Sequence, residues 1–376
     1  MTLALALRHH GIQCAIFEAR ARSAVRGDAR ILALSHGTQQ VLDRLGVWAQ
    51  IAAAGAATPI CKVHVSHRHG LGRTCIRADD LGVEALGQVL PSGALIAALD
   101  AAVSAAQIEY RDCSAVVDAK VSDDGHVTRL TMRNPNYSGG DTAPIEADAA
   151  LVAWAEGIVD PASATMHDYA QHAVLCTVAV DPPHRNVAWE RFTDDGPLAL
   201  LPLGNDYAVV LTCASHQVDA TLALDDDGFR ALLAERFGSR HRFGRLSPRV
   251  AYPLGLRWRN DVVAPRQVWL GNAAQTLHPV AGQGFNLAVR DIWELARTLA
   301  GASDPGHADV LARYAVGRRT DRRGTMGFTD LLIDTFATDF PPLKHLRGAG
   351  LLALDLLPPL RRFVARRMMY GANGLS

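Results

Sequence analysis

The spacing of apolar positions divides the chain into a helix-and-strand opening, a long strand-rich middle and a helical end. "TLALALRH" is rich in strong helix formers, and Gly11 stands where that helix would stop. "QCAIFEA" follows as a short apolar run, the pattern of a buried parallel strand, and it closes on the acid Glu18. Ser35 is placed to cap a helix reaching about residue 45, with Val41, Leu42 and Leu45 along one face. "CKVHVSHRHGLGRTCI" alternates at Val63 and Val65 and reads as strand. "LGQVLPSGALIAALDAAV" reads as a strand end followed by a helix. Residues 113–157 read as short strands with turns at Asp124-Gly125 and Gly139-Gly140. Between 172 and 214, "AVLCTVAV", "NVAWERF", "LALLPL" and "YAVVLTC" continue the strand pattern, and a short helix is expected over 227–237. A strand at 267–270, a glycine-rich bend and the apolar helix "FNLAVRDIWELARTLA" then return to α/β character. The fold class is therefore α/β with an inserted sheet.

Composition narrows this picture only a little. Hydrophobic residues are 49% and charged residues 20% of 376, an ordinary globular balance with ample core material. Lys+Arg and Asp+Glu are both 38, so nothing global favours a nucleic-acid partner. None of the six cysteines stands in a CxxC pair, and their isolated spacing suits reduced thiols in a cytoplasmic protein. The apolar runs fall short of the roughly 18 residues of a membrane span. His64, His67 and His69 lack a carboxylate or thiolate set, so a solvated strand edge is expected there and a metal is not. From 341 to 376, six basic residues, including Arg361, Arg362, Arg366 and Arg367, face one acid, Asp355, among leucines, Phe363 and two methionines. That pattern fits either a docking helix or an amphipathic segment on the inner face of an anionic membrane.

The chemistry sits in "GNAAQTLHPVAGQGFN". Gly271 permits a tight turn, and Asn272 offers hydrogen bonds to a ribitol or phosphate. Pro279 stiffens the bend, and His278 is a polar group beside it. Gly282 and Gly284 precede a helix whose first N–H groups can meet a phosphate or the anionic edge of a reduced ring. Glu18, an acid after a strand, is of the kind that binds a ribose hydroxyl in dinucleotide folds. Such an acid normally lies about 20 residues beyond a G-x-G-x-x-G loop. Counting back from Glu18 runs off this sequence, which opens inside the helix that should follow the loop.

The bend resembles the second flavin-binding motif of the class A flavoprotein aromatic hydroxylases. The form "GNAAQTLHP" then "AGQGFNL" is similar to the ubiquinone-biosynthesis branch, the 2-polyprenyl-6-methoxyphenol hydroxylases, in which Asn272 and Gln275 are branch features. Short matches extend along the chain: "LGVW" at 45–48, "VHVS" at 63–66, "LGQV" at 86–89, "ERF" at 190–192, "GPLALLP" at 196–202, "AYPL" at 251–254 and "TD" at 329–330. The resemblance implies a PHBH-like fold. A discontinuous FAD domain would span 1–57, 88–160 and 262–340, a β-sheet substrate domain 58–87 and 161–261, and a basic amphipathic helical segment 341–376. It implies that Glu18 takes the adenosine ribose, Arg30 lies near the pyrophosphate or flavin, and Gln88 sits at the flavin domain's edge. Gly271 and Asn272 would meet the ribitol–pyrophosphate. His278, Pro279, Gly282, Gln283, Gly284, Phe285 and Asn286 would line the isoalloxazine, with His278 the catalytic candidate. Glu156-Gly157 stands where the family has Asp-Gly.

The implied reaction is hydroxylation of a polyprenylated phenol by molecular oxygen, with FAD reduced by NAD(P)H. The alternative is an FAD-poor, inactive truncated paralogue serving as a scaffold among other ubiquinone-biosynthesis proteins, and a flavin reductase or halogenase-like relative is a third reading. Without the first glycine loop, the sequence as written is expected to hold FAD poorly.

Overall fold

The computed structural model describes residues 1–24, 30–68, 70, 72–133, 145–157, 159–277, 282–337 and 341–372, with side chains described outside 328–347. In chain order the elements are α1 (Thr2–His9), β1 (Ala15–Phe17), β2 (Ile31–Ser35), α2 (His36–Arg44), α3 (Trp48–Ala53), β3 (Thr58–Ile60), β4 (Lys62–His67), β5 (Arg73–Arg77), β6 (Gly87–Pro91) and α4 (Ser92–Ala105). There follow β7 (Glu109–Arg111), β8 (Ala115–Val121), β9 (Thr128–Arg133), β10 (Ile145–Ala149), β11 (Val152–Trp154), β12 (Ala164–Asp181), β13 (Val187–Thr193), β14 (Gly196–Leu203) and β15 (Asp206–Ala214). The chain ends with α5 (Val218–Ala223), α6 (Asp226–Phe237), β16 (Arg242–Leu246), β17 (Val250–Arg259), β18 (Val263–Ala264), β19 (Gln267–Trp269), β20 (Gln275–Thr276), α7 (Gln283–Leu299), α8 (Ala308–Ala337), α9 (Pro341–Leu356) and α10 (Pro358–Tyr370).

A nine-stranded sheet dominates, in the order β20-β17-β12-β15-β14-β13-β4-β5 with β16 also on β12. Only the β13–β4 neighbours in it run parallel. Its apolar alternation is legible in β13: Trp189 packs against Phe237 of α6 on one face, while Ala188, Glu190 and Phe192 point to the other. Two parallel pairs, β1–β7 and β11–β19, supply the α/β portion. α1, α2 and α4 bury Leu5, Leu42, Leu95 and Val103 in one core, and α7 and α8 bury Leu295, Leu299 and Tyr314 against Val268 and Leu270 in another.

Local chemistry sets the boundaries. Ser35 caps α2, its hydroxyl accepting from the Thr38 N–H at 3.2 Å. Asp225 caps α6 in the same way through the Gly228 N–H. Pro358 and the preceding Leu357 break the C-terminal stretch, so the expected single segment is two helices.

Two expectations change. β1 is short and half-exposed, because it pairs only with β7 among the described strands. β4 is an inner strand, with β5 outside it, and His64 and His67 are buried where a solvated edge was expected. His64 packs against Trp189, ring centroids 4.5 Å apart and tilted by 42°, and burial pushes its pKa down to about 4. α5 had no clear sequence signal. The turn at Gly139-Gly140 and His69 lie outside the described residues. Among the described residues no group of three or more His, Cys, Asp or Glu is placed to hold a metal, and no helix is long and apolar enough to cross a membrane.

Candidate functional site

Gly282 begins α7 in the left-handed region, with φ 59° and ψ 27°. A Cβ there would meet Ala33 Cβ at 3.3 Å, so the loop passes close over β2, and glycine takes the turn without strain. Gly284 needs no positive φ, and a Cβ on it would meet nothing within 4 Å. No side chain caps α7. Its first N–H groups lack intrahelical acceptors, and the bare Gly284 leaves the approach to them open. That donor set fits the anionic edge of a flavin or a phosphate.

Asn286 fastens this helix start to the neighbouring strand. Its Oδ1 accepts from the Ser35 N–H at 2.8 Å and the Thr38 hydroxyl at 2.7 Å, and its Nδ2 donates to the Ala33 carbonyl at 3.0 Å and the Gly282 carbonyl at 2.7 Å. The whole side-chain capacity is engaged by protein. The Asn286 side chain is therefore held by protein, and what this position offers a cofactor is backbone. Phe285 likewise packs inward, among Val41, Val289 and Trp293. Gln283 reaches the Met368 carbonyl of α10 at 3.4 Å.

The other expected residues stand at strand ends. Glu18 follows β1, and its Oε1 accepts from the Arg20 N–H at 3.0 Å. Glu156 follows β11, and its pKa is raised by burial and then by the nearby Glu18. The two acids therefore come together at the carboxyl ends of parallel strands, where α/β folds bind ligands. Gly271 turns the chain after β19 with φ +56°, and the Asn272 side chain is exposed. Arg30 is exposed, its carbonyl taking the Ser92 N–H at 2.7 Å. Gln88 is half-buried in β6, between β2 and β3. His278 and Pro279 lie outside the described residues.

A cavity of about 330 Å³ adjoins the α7 loop. Ser35, Gly282, Gln283 and Asn286 form one side, the sheet face of β4, β5, β13, β14 and β15 another, and α9 and α10 close it with Leu351, Leu354, Val364 and Met368. The remaining expected residues, Glu18, Arg30, Gln88, Gly271 and Asn272, do not line it. The walls are mostly apolar, and Glu190 is the only ionisable side chain among the described lining residues. The small part of Glu190 that is accessible faces the cavity, and desolvation by the enclosing protein pushes its carboxyl up to about 7.

The family description "FAD binding domain" matches residues 142–328. The protein slr1300 of Synechocystis sp. is 30% identical over 383 residues, covering 100% of this chain and 91% of that protein. The 3-demethoxyubiquinol 3-hydroxylase of Escherichia coli is 29% identical, covering 96% and 93%. Ubiquinone hydroxylase UbiL of Rhodospirillum rubrum is 38% identical over 207 residues, covering 54% of this chain and 48% of that one. The chain belongs to the ubiquinone-biosynthesis FAD-dependent hydroxylases. The fold of this hydroxylase is that of the class A flavoproteins. p-Nitrophenol 4-monooxygenase PnpA of Pseudomonas putida superposes with a TM-score of 0.74 at 16% identity, covering 100% of this chain and 96% of that one. Klebsiella pneumoniae HpxO, complexed with FAD, gives 0.71 at 14% identity, covering 97% and 95%. The hydroxylase uses FAD, and the uncapped α7 start, its bare Gly284 and the acids at the strand ends fit that cofactor.

Two features of the hydroxylase escaped the sequence. Gln275 is buried, donating to Asp291 at 2.7 Å and accepting from Arg322 at 2.9 Å, within a network that also holds Arg318, Arg290 and Asp321. Glu190 was visible only as part of "ERF". Its signal was a carboxylate at an apolar position of an alternating strand.

The raised Glu190 pKa has a consequence for stability. The carboxyl ionises at 4.5 in the unfolded chain and about 7 in the fold, so the fold binds the proton more tightly. Stability is therefore greatest below the unfolded value, falls as pH rises between the two, and is level above. Glu190→Gln removes that slope and should stabilise the protein near about pH 8 by up to about 3 kcal/mol, with little effect near about pH 5. Urea unfolding at both pH values checks this, and an equal gap at both would exclude it.

Proposed function

We propose that the protein hydroxylates a polyprenylated methoxyphenol during ubiquinone synthesis, with NAD(P)H as electron donor and molecular oxygen as co-substrate. The cavity carries this reading. It joins the α7 loop to an apolar chamber under α9 and α10, and a prenyl tail gains about 25 cal/mol for each Å² it buries there. The names of the Escherichia coli and Rhodospirillum rubrum relatives support the same substrate class.

FAD, when bound, supplies hydride acceptance and oxygen activation. The chain does the rest. The α7 N-terminus favours negative charge on whatever meets it, Asn286 holds that helix start in place, and the apolar walls exclude water from the reacting ring. In this reading Glu18 takes the adenosine ribose, and Arg30 and Asn272 with Gly271 take the pyrophosphate and ribitol. Gln88 lies at the flavin domain's edge, and the loop from His278 and Pro279 through Gly282, Gln283, Gly284, Phe285 and Asn286 lines the ring. The division into cofactor segments (1–57, 88–160, 262–340) and substrate segments (58–87, 161–261) is supported by β4, β5 and β12–β17 sharing one sheet, although β20 joins them and β3 pairs with β6.

The decisive test supplies the FAD-loaded enzyme with NAD(P)H and a 2-polyprenyl-6-methoxyphenol in detergent. Mass spectrometry should show the phenol gaining one oxygen atom. NAD(P)H oxidation that yields peroxide and no oxygenated phenol would overturn the reading.

The same reading places the protein on an anionic membrane surface, from which a lipid substrate enters. Leu356 and Phe363 are each 67% exposed, with Leu352, Leu357 and Leu360 beside them, on the helices whose other side closes the cavity. Arg362 and Arg366 are exposed on α10, whereas Arg361 is held by the Asp355 carbonyl and Asp80. Each free arginine contributes about 1 kcal/mol near such a surface, so Arg362→Gln with Arg366→Gln should weaken binding to phosphatidylserine vesicles roughly 30-fold. Vesicle sedimentation reads this, and unchanged binding would remove the membrane from the proposal.

A further inference from the structure

We propose that Glu190 is the catalytic residue that accepts the proton of the substrate's ring hydroxyl. The inference rests on the hydroxylase reading above and adds to it the group that activates the ring.

Position makes the case. Glu190 lies on β13 in a cross-strand row, Thr74–Val65–Glu190–Ala199–Val210, facing the cavity. Its row neighbours Val65 and Ala199 and one of its two same-face neighbours, Ala188, are compact and apolar, which leaves room beside the carboxyl on the side away from Phe192. The Glu190 side chain has no ion-pair or hydrogen-bond partner among the described residues, and desolvation is the sole cause of its shifted pKa. A buried carboxyl without a partner is normally neutralised, paired or used. The other polar groups on the wall are engaged: Ser35 by Thr38, Asn286 by four partners, and the Trp189 N–H by the Tyr207 hydroxyl. The exception is the Thr74 hydroxyl, which is buried and unbonded two strands away, roughly 10 Å along the row. Unpaired polarity among the described lining residues is thus confined to one row of a mostly apolar chamber, which fixes where a phenolic head rests and sends its hydrocarbon tail toward α9 and α10.

The step balances without any redox partner. The ring O–H bond breaks, its proton forms an O–H bond on a Glu190 oxygen, and the electron pair stays on the ring oxygen. Negative charge moves from carboxylate to ring, where it raises electron density at the carbon to be hydroxylated. A base serves best when its pKa lies near the working pH, and burial has moved this carboxyl to about 7. No other ionisable side chain from β2, β4, β5, β14, β15, α7, α9 or α10 faces it among the described lining residues, so the acid limb of turnover belongs to Glu190.

The test uses the FAD-loaded enzyme and two variants. Glu190→Gln should lower kcat by roughly 100-fold or more with KM changed little, and the acid limb near pH 7 should vanish. Glu190→Ala should be similarly slow and regain rate with added formate. A Glu190→Gln enzyme with kcat within about threefold of the parent and the same acid limb would overturn the assignment. An infrared readout separates this from failure of the hydroxylase reading. Adding 4-nitrophenol should perturb the parent's carboxyl bands, and the perturbation should be missing from Glu190→Gln. If the parent hydroxylates no prenylated phenol, the hydroxylase reading fails, and the infrared result still decides Glu190. A bound nitrophenol that leaves the carboxyl bands untouched overturns the proposal.

Discussion

Asp321→Ala will destabilise the protein by about 3–5 kcal/mol, because it strips a buried network of its central anion. Asp321 is fully buried on α8. Its Oδ2 accepts from Arg290 of α7 at 2.8 Å and from Arg318 at 2.6 Å, and its Oδ1 accepts from the Ala372 N–H at 2.7 Å. Burial opposes its charge, yet Arg290 and Arg318 hold its pKa below the usual carboxylate value. The stability it contributes is therefore complete above its unfolded value of 3.8 and is lost only as pH falls through the lower folded value. In the variant, Asp291 remains to Arg318 at 2.7 Å, but Arg290 loses its carboxylate partner and the chain after α10 loses its anchor. Gly371 packs so closely here that a Cβ would meet Arg290 Nε at 2.6 Å, and its φ is +77°. Loosening this corner therefore loosens α10, which closes the cavity. Urea unfolding measures the loss, and a change below about 1 kcal/mol would show that the arginines find other partners.

Asn286→Leu should cost about 3 kcal/mol or more and release flavin. Leucine fills a similar volume, so packing is nearly kept and the effect isolates the hydrogen bonds. The Ser35 N–H and the Ala33 carbonyl would be left unpaired beside a residue that is 2% exposed, each at about 1–3 kcal/mol. Those bonds hold the α7 start over β2, so FAD per chain should fall along with stability. Denaturation midpoint and bound-flavin absorbance test both parts. A variant as stable as the parent, with stoichiometric FAD, would mean that the clamp is dispensable.

Much of the fold was legible because its signals are local. α2 and its Ser35 cap, the β6–α4 pair, the strands of 172–214 and the helix beginning at Gln283 depend on neighbours within a turn or two. The histidines misled for the same reason: alternation shows that β4 is a strand and is silent on β5 standing outside it. The family motif in 271–286 pointed to FAD, and Gly271 and Gly282 there were informative because a left-handed turn constrains residue type directly.

What the sequence determined by itself was the class of element at each stretch and the flavoprotein family, since periodicity, caps and motif spacing are properties of contiguous residues. Tertiary structure alone decided what the polar side chains do. Asn286 clamps the α7 start through groups some 250 residues away, and Gln275 links Asp291 and Arg322. Glu190 became the single ionisable group among the described lining residues of the chamber only when two sheet neighbours and the C-terminal helices enclosed it. A carboxylate's proton affinity follows from the dielectric and the charges around it, and both are set by segments distant in sequence.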